Sequence, residues 1–476
     1  MRIRYYIFLL LVLFCASLSA QNKQVLYDFN DIPQALMVNP GMETDFQWYA
    51  GVPLLSGISG YAGTNGITVN DIFADDGLDI NDKVRGLMIN GLTTRDEFSQ
   101  ALKVDLFNGG FRSPYSNIFY SFGAYLEMAN ILYWPKDYII LAFDGNANQL
   151  NTRFNLGDLK TRGSTVAVYH FGINKKINKK LTAGARAKLY SGITDFNSTN
   201  NKGYLVNNEG QNNTIATTLS ADMQFRNSGF GALSTAEDQG TLANTFVKRA
   251  IFGGDLGLGM DLGFTYHLNE RTAITGSVLD LGFIYHSGNV YKYNLKGNAT
   301  IEGIQINVLQ ELADLNRDFW QDLVDDVEEL IPFETTNSAY VTFRPTKLNA
   351  SIRHDFGAPI GSEEACDCGT DGSNNRTVKY RNGIGGQLFA INRPRGPQVA
   401  LTGFYLRRFG RFMTIKGTYT IDKFSSTNVG VGINLQAGPV NFYLMGDNLL
   451  SYQNIAASNY ASFQLGLNII SWGKKK

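Results

Sequence analysis

Four histidines, His170, His267, His286 and His354, are the only imidazoles available to move a proton or bind a metal in 476 residues. None stands at a spacing that pairs it with a serine or cysteine nucleophile, although a Ser/His/Asp site can assemble from distant strands. His267 falls on the polar phase of an alternating stretch, close to a turn, and a structural or lumen-lining role is the expectation for all four. Cys366-Asp367-Cys368, beside Glu363 and Glu364, offers two thiolates, fewer than a tetrahedral zinc site needs. A turn with a redox or structural pair is the default reading there, since a strained disulfide across one residue can form in an oxidising compartment. Asp75, Asp76, Asp79, Asn81 and Asp82 make an acidic run without the EF-hand spacing. Gly257-Leu258-Gly259 through Gly263 imitates a dinucleotide loop but opens no helix. These candidates assign no catalytic, cofactor-binding or metal residue. No cofactor is expected, and the chain reads as a non-enzyme.

The elements around these residues explain why chemistry is sparse. The chain carries 42 basic and 42 acidic side chains, so charge gives no case for a nucleic-acid partner. Charged residues make up 18%, while glycine (50), tyrosine (24) and phenylalanine (31) are abundant. Arg2 and Arg4, the apolar run Ile7 to Phe14 and the small residues Ala16, Ser17, Ser19 and Ala20 read as a secretory signal peptide over 1–20. Phe14 is too large for a lipoprotein cleavage box ahead of Cys15, so lipidation is not expected. Downstream no apolar run reaches the ~18 residues of a transmembrane helix.

Period-two alternation fills the rest. Leu256, Leu258, Met260, Leu262, Phe264, Tyr266 and Leu268 alternate with Gly257, Gly259, Asp261, Gly263, Thr265 and His267. Asn269-Glu270-Arg271 makes a tight turn, and the chain returns through Ala273 to Tyr285. Leu181 to Leu189 repeats the pattern, joined to Thr165–Ile173 by a Lys-rich turn. Further strands are expected near 381–391, 397–407, 411–421, 427–436, 438–447 and at Phe463 to Ile469. A sandwich and a barrel both alternate. Strand length, short turns at one end and the terminal Trp472 favour an all-β, antiparallel transmembrane β-barrel, with apolar side chains toward lipid and small polar ones toward a wet or plugged lumen. The expected location is the cell outer membrane, with outer-membrane lipid as the first partner. Residues 21–476 then form one barrel domain.

Turn parity fails between 192 and 254, where one clear strand, Ile215 to Phe225, is visible. A second strand in 243–253, or an external excursion of 203–225, would restore it. Leu309, Leu312, Leu315, Phe319, Leu323, Val327 and Leu330 have helical spacing, with acidic residues opposite, which puts an external acidic helical loop at 300–335. A second helical region is expected over 80–103, with Thr94 and Glu97 as a capping box.

Five separated stretches carry a resemblance: LYDFNDIPQALMVNPGM from Leu26 to Met42, GVPLLSGISG from Gly51 to Gly60, SVLDLGFI from Ser277 to Ile284, YVTFRPTKLNAS from Tyr340 to Ser351 and GPVNFYLMGDNLL from Gly438 to Leu450. Together they resemble a family of uncharacterised Bacteroidota outer-membrane β-barrels, a domain of unknown function. In pattern it is similar to the PorP/SprF-like membrane proteins of type IX secretion and, more distantly, to fatty-acid-transporter barrels. The resemblance implies about 14 strands (12–16) and a plug-like N-terminal segment, 21–60, inserted in the barrel. It implies a scaffold or accessory for secretion or surface assembly, with other envelope or secretion-system proteins as partners. A passive channel for hydrophobic small molecules is the alternative, and an outer-membrane hydrolase the last choice.

Overall fold

Strand Asp255–Asn269 shows how the wall is made. Its seven large apolar side chains, Leu256 to Leu268, are each 39–60% exposed, while Asp261 and Thr265 between them, and Asp255 just before them, are buried. A sandwich would bury the apolar phase. Here the alternation is turned inside out, as in a barrel bathed in hydrocarbon. The computed structural model describes residues 24–472 apart from 147, 211–214, 236–237, 303–330, 332 and 361–377.

The wall is a closed antiparallel barrel of 14 strands. In chain order they are β1 (Trp48–Gly51, resumed at Ile58–Thr64), β2 (Glu97–Arg112), β3 (Ile118–Tyr133), β4 (Lys160–Lys176), β5 (Leu181–Ser198), β6 (Asp255–Asn269) and β7 (Thr272–His286). Then follow β8 (Tyr340–Phe343, resumed at Lys347–Pro359), β9 (Tyr380–Arg393), β10 (Gly396–Phe409), β11 (Met413–Ile421), β12 (Asn428–Ala437), β13 (Val440–Asp447) and β14 (Tyr460–Ser471). Each strand pairs with its neighbour in sequence. The ring closes where β14 meets β1, with Trp48 opposite Ser471 and Ile58 opposite Leu465. Short turns at 177–180, 270–271, 410–412 and 438–439 share one end. The other end carries the long connections, with Pro394–Arg395 as its one tight hairpin among the described residues. No helix among the described residues is long and apolar enough to cross a membrane.

The unresolved parity of 192–254 has a simple origin. The described residues of 199–254 add no wall strand of their own. Ile215–Ser228 lies in line with β6 and continues it beyond the barrel: Ser228 pairs with Asp195 of β5, and Asp255 resumes opposite Gly192. Lys202–Glu209 and Val290–Glu302 flank this extension and build a small sheet on the long-loop end. A strand in 243–253 does not exist. That stretch is the helix Gln239–Lys248 and a π-turn, Arg249–Gly253. The capping box at Thr94 and Glu97 is also absent, because Glu97 opens β2. Asp96 instead accepts from the Thr93 amide at 2.6 Å. The region does hold the helix Ile80–Arg85 and a π-turn, Gly86–Gly91, and a reciprocal cap of the expected kind sits earlier, between Thr68 and Asp71.

Inside the ring lies the N-terminal segment. Residues Val25 to Phe46 supply most of the largest buried apolar cluster, with a 3-10 turn at Pro33–Met37. The inserted stretch is shorter than 21–60, since the chain joins the wall at Trp48. The leader, the acidic stretch 308–330 and Cys366/Cys368 fall outside the described residues.

Candidate functional site

The bore is stopped by the segment 24–46, and the wall is shaped to receive it. At its corner Asn39 forms an Asx turn, its Oδ1 accepting from the Gly41 amide at 2.9 Å. Asn174 of β4 donates to the carbonyls of Pro40 (2.7 Å) and Met42 (2.8 Å), and Thr265 of β6 donates to that of Gly41 (2.9 Å). A Cβ on Gly184 would come within 2.0 Å of the Pro40 carbonyl oxygen, and one on Gly263 within 2.2 Å of Asn39 Oδ1. The lumen-side glycines therefore form a dent into which the Asn-Pro-Gly corner fits. Arg186 donates to the Leu36 carbonyl at 2.6 Å, and Ser277 to that of Val38 at 2.6 Å. On the far wall Gln34 and Asn468 of β14 exchange hydrogen bonds of 2.7 and 3.0 Å. Lys416 of β11 donates to the Tyr27 carbonyl and lies 4.2 Å from the Phe404 ring.

Near the short-turn end, Asp31 is the plug's ionic foot. Lys379 stands 2.8 Å away and Arg408 3.0 Å. Burial acts to raise the Asp31 carboxyl, but Arg408 and Lys379 outweigh it and hold it well below the usual carboxylate range. Burial likewise lowers Lys379, and Asp31 with Asp45 reverses the shift and raises it.

Above the plug the inward phase carries charge instead of small residues. Asp261 takes Arg186 at 3.2 Å and Lys188 at 2.8 Å, and Lys188 reaches Asp280 at 2.6 Å. Lys347 joins Asp280 at 2.8 Å, and Arg344 joins Glu127 at 3.1 Å. The network links β3, β5, β6, β7 and the break in β8. Each charge has an opposite partner, so the cost of burial is offset, while removal of one member would strand another. Between network and plug is a cavity of about 90 Å³. Its lining is mixed: Lys103, Glu127, Lys188, Asp280, Lys347 and Asp447 bring charge, Leu279, Phe389 and Met445 are apolar, and Val25, Met37 and Val38 come from the plug.

The histidines do not converge. His170 lies buried beside Tyr125, and His354 meets Thr272 across a wall pair at 3.0 Å. His267 stands 2.9 Å from Glu43, so it faces the plug. His286 comes nearest to a triad, with Nδ1 3.0 Å from Asp255 and Nε2 2.8 Å from the Thr342 hydroxyl. Ser228 is close by, but its hydroxyl donates to Asp255 and the Gly288 carbonyl and not to an imidazole. Asp76 of the acidic run pairs with Lys83. Gly257, Gly259 and Gly263 lie on the lumen side of β6, and Gly259 faces the Tyr190 ring. The ion network itself was not singled out by sequence reading. Its signal was present, since Arg186 and Lys188 occupy the inward phase well inside a strand, but their partners sit on other strands and depend on register.

The chain belongs to the family of unknown function DUF5723, which matches residues 40–447. No curated protein matches it. Among solved structures it is similar to a deletion mutant of the TodX monoaromatic hydrocarbon channel, with 11% identity, 96% of each chain covered and a TM-score of 0.40. It is also similar to the toluene transporter TbuX of Ralstonia pickettii (12% identity, 92% of this chain and 93% of that one, TM-score 0.38). A Pseudomonas aeruginosa FadL homologue gives 9% identity, 96% and 99% coverage and a TM-score of 0.38.

Proposed function

We propose that this member of the DUF5723 family is a non-enzymatic outer-membrane channel that passes small amphiphilic or hydrophobic molecules, with its own N-terminal segment as the stopper. The observation that carries this is the cavity above the plug, whose lining sets buried charged side chains beside apolar ones. Such a lining suits a solute with a polar head and a greasy body. At about 90 Å³ the cavity holds a few waters or a head group, not a whole solute. Passage therefore requires residues 24–46 to shift from the lumen. The short turns would face the periplasm and the long loops the outside.

Proteoliposomes test this. The whole protein should admit a labelled medium-chain amphiphile faster than empty vesicles, and deletion of residues 24–46 should raise the rate further. No uptake above empty vesicles by either form would end the proposal.

A second reading, a scaffold for secretion or surface assembly, is favoured by the sheet that Ile215–Ser228, Lys202–Glu209 and Val290–Glu302 raise above the wall. It offers a surface that passage does not need. An unchanged surface-protein profile in a strain lacking the chain would remove this reading.

A further inference from the structure

Between the two halves of the β6 line the chain leaves the wall, and Gln239–Lys248 with the turn Arg249–Gly253 folds against the outside of the barrel. The outward rows establish the side. Tyr169 and Ala167 of β4 share the phase of Phe171 and Ile173, which are exposed, yet Ala167 is only 1% exposed. It is covered by Ala250 and Phe246 of the excursion, together with Ile193 of β5. The Tyr169 hydroxyl donates to the Ala250 carbonyl at 3.1 Å, and the Tyr169 and Phe252 rings lie 4.6 Å apart. Ser191, also outward, donates to the Arg249 carbonyl at 2.6 Å.

The wall covers one flank of this helix and turn. Leu242, Val247, Ile251 and Phe252 keep 44–60% of their surface exposed, while Asn244 and Lys248 mark the polar flank. The one buried cation, Arg249, points back into the seam, donating to the Ile193 carbonyl at 2.7 Å and standing 3.2 Å from Asp255. Height can be judged from β5. Ile193 lies twelve residues above Leu181 at the short-turn end, which at ~3.3 Å per residue and a tilt near 40° is about 30 Å, just past the top of an apolar band roughly 25 Å tall measured from that turn. The exposed side chains thus continue the lipid-facing surface at its outer border.

We infer that Gln239–Gly253 is an interfacial element whose free apolar flank is occupied by the acyl chains of outer-leaflet lipid. This rests on the membrane placement in the proposed function, but not on transport. The partner is a bilayer surface because the patch is continuous with the wall that lipid already covers, and because its polar flank lies beside it as in other helices that lie in the interface plane.

The test uses the whole protein in phosphatidylcholine vesicles, with Cys15, Cys366 and Cys368 replaced by serine and one fluorescent label at a time on Val247→Cys, Ile251→Cys, Asn244→Cys or Ile173→Cys. Labels at 247 and 251 should be quenched by a lipid carrying a shallow nitroxide, placing them about 5–10 Å below the headgroup boundary, while the label at 244 should respond to an aqueous quencher. Ile173→Cys, on the bare wall, reports whether the barrel is inserted. If 173 is quenched by lipid while 247 and 251 respond only to the aqueous agent, the inference is wrong and the membrane placement stands. If 173 is not quenched by lipid, both fall.

Discussion

β1 and β6 both break, and they are mended by different means. In β1 the chain bulges at 52–57, throwing Leu54 and Leu55 outward, with Leu54 in the left-handed region at φ 64°. The gap is stitched mainly by backbone: Val52 donates to Leu467, Leu467 to Leu55, Leu54 to Leu106 and Asp105 to Gly57, with the Tyr443 hydroxyl donating to the Ser56 carbonyl as the side-chain addition. In the β6 line the interruption is far longer and its ends are joined through side chains. Asp255 is the knot. It accepts from Ser228, the Ser287 and Gly288 amides and Arg249, and holds His286. A wall can thus lose a few residues of pairing and keep its ladder, but a larger excursion needs a buried charge to gather the strands again.

The contrast is broken most directly by Asp255→Asn. It strands Arg249 without its counter-charge, so about 3–5 kcal/mol of stability should go, read as a drop in the urea midpoint of the heat-modifiable folded band. The plug is also held by side chains, and Asp31→Asn should cost about 2–3 kcal/mol by the same logic. Its pH signature fixes the sign. Asp31 titrates lower in the folded chain than in the unfolded one, so its contribution is present above the unfolded value of 3.8 and is lost as pH falls through the folded value. The parent should therefore weaken below about pH 4 more steeply than Asp31→Asn, in denaturant titrations at stepped pH. In the backbone-mended break, Gly57→Ala places a methyl 2.4 Å from the Asp105 carboxylate, and a cost of about 1–2 kcal/mol is expected from that crowding. Ser56→Ala, whose buried hydroxyl makes no hydrogen bond, should change the midpoint by less than about 0.5 kcal/mol. An Asp255→Asn variant no weaker than Ser56→Ala would erase the distinction.

Much of this architecture was legible in residue order, because alternation is a local property. The runs from Leu181 and Leu256 gave strands, faces and turns without any knowledge of neighbours. The Asn39-Pro40-Gly41 motif was visible too, but not its seat, since Gly184 and Gly263 oppose it only in the closed ring. What failed was where local rules compete. Thr94 and Glu97 have capping spacing, yet Glu97 opens β2 and pairs with Tyr133 of β3. Residues 243–253 could extend a wall count, yet Phe246 and Ala250 have helical spacing and an outer wall to lie on. The ion network depends on which strands stand opposite, and no single run of sequence encodes that.

The hydrogen bonds between Gln34 and Asn468 join residues 434 apart. The N-terminal segment is buried against β14, so its native seating cannot finish until β14 has been made. Pairings of such sequence separation are slow to form. Biogenesis of this protein must therefore keep its first segment waiting beside an open sheet, and the union of β14 with β1 seals it in place.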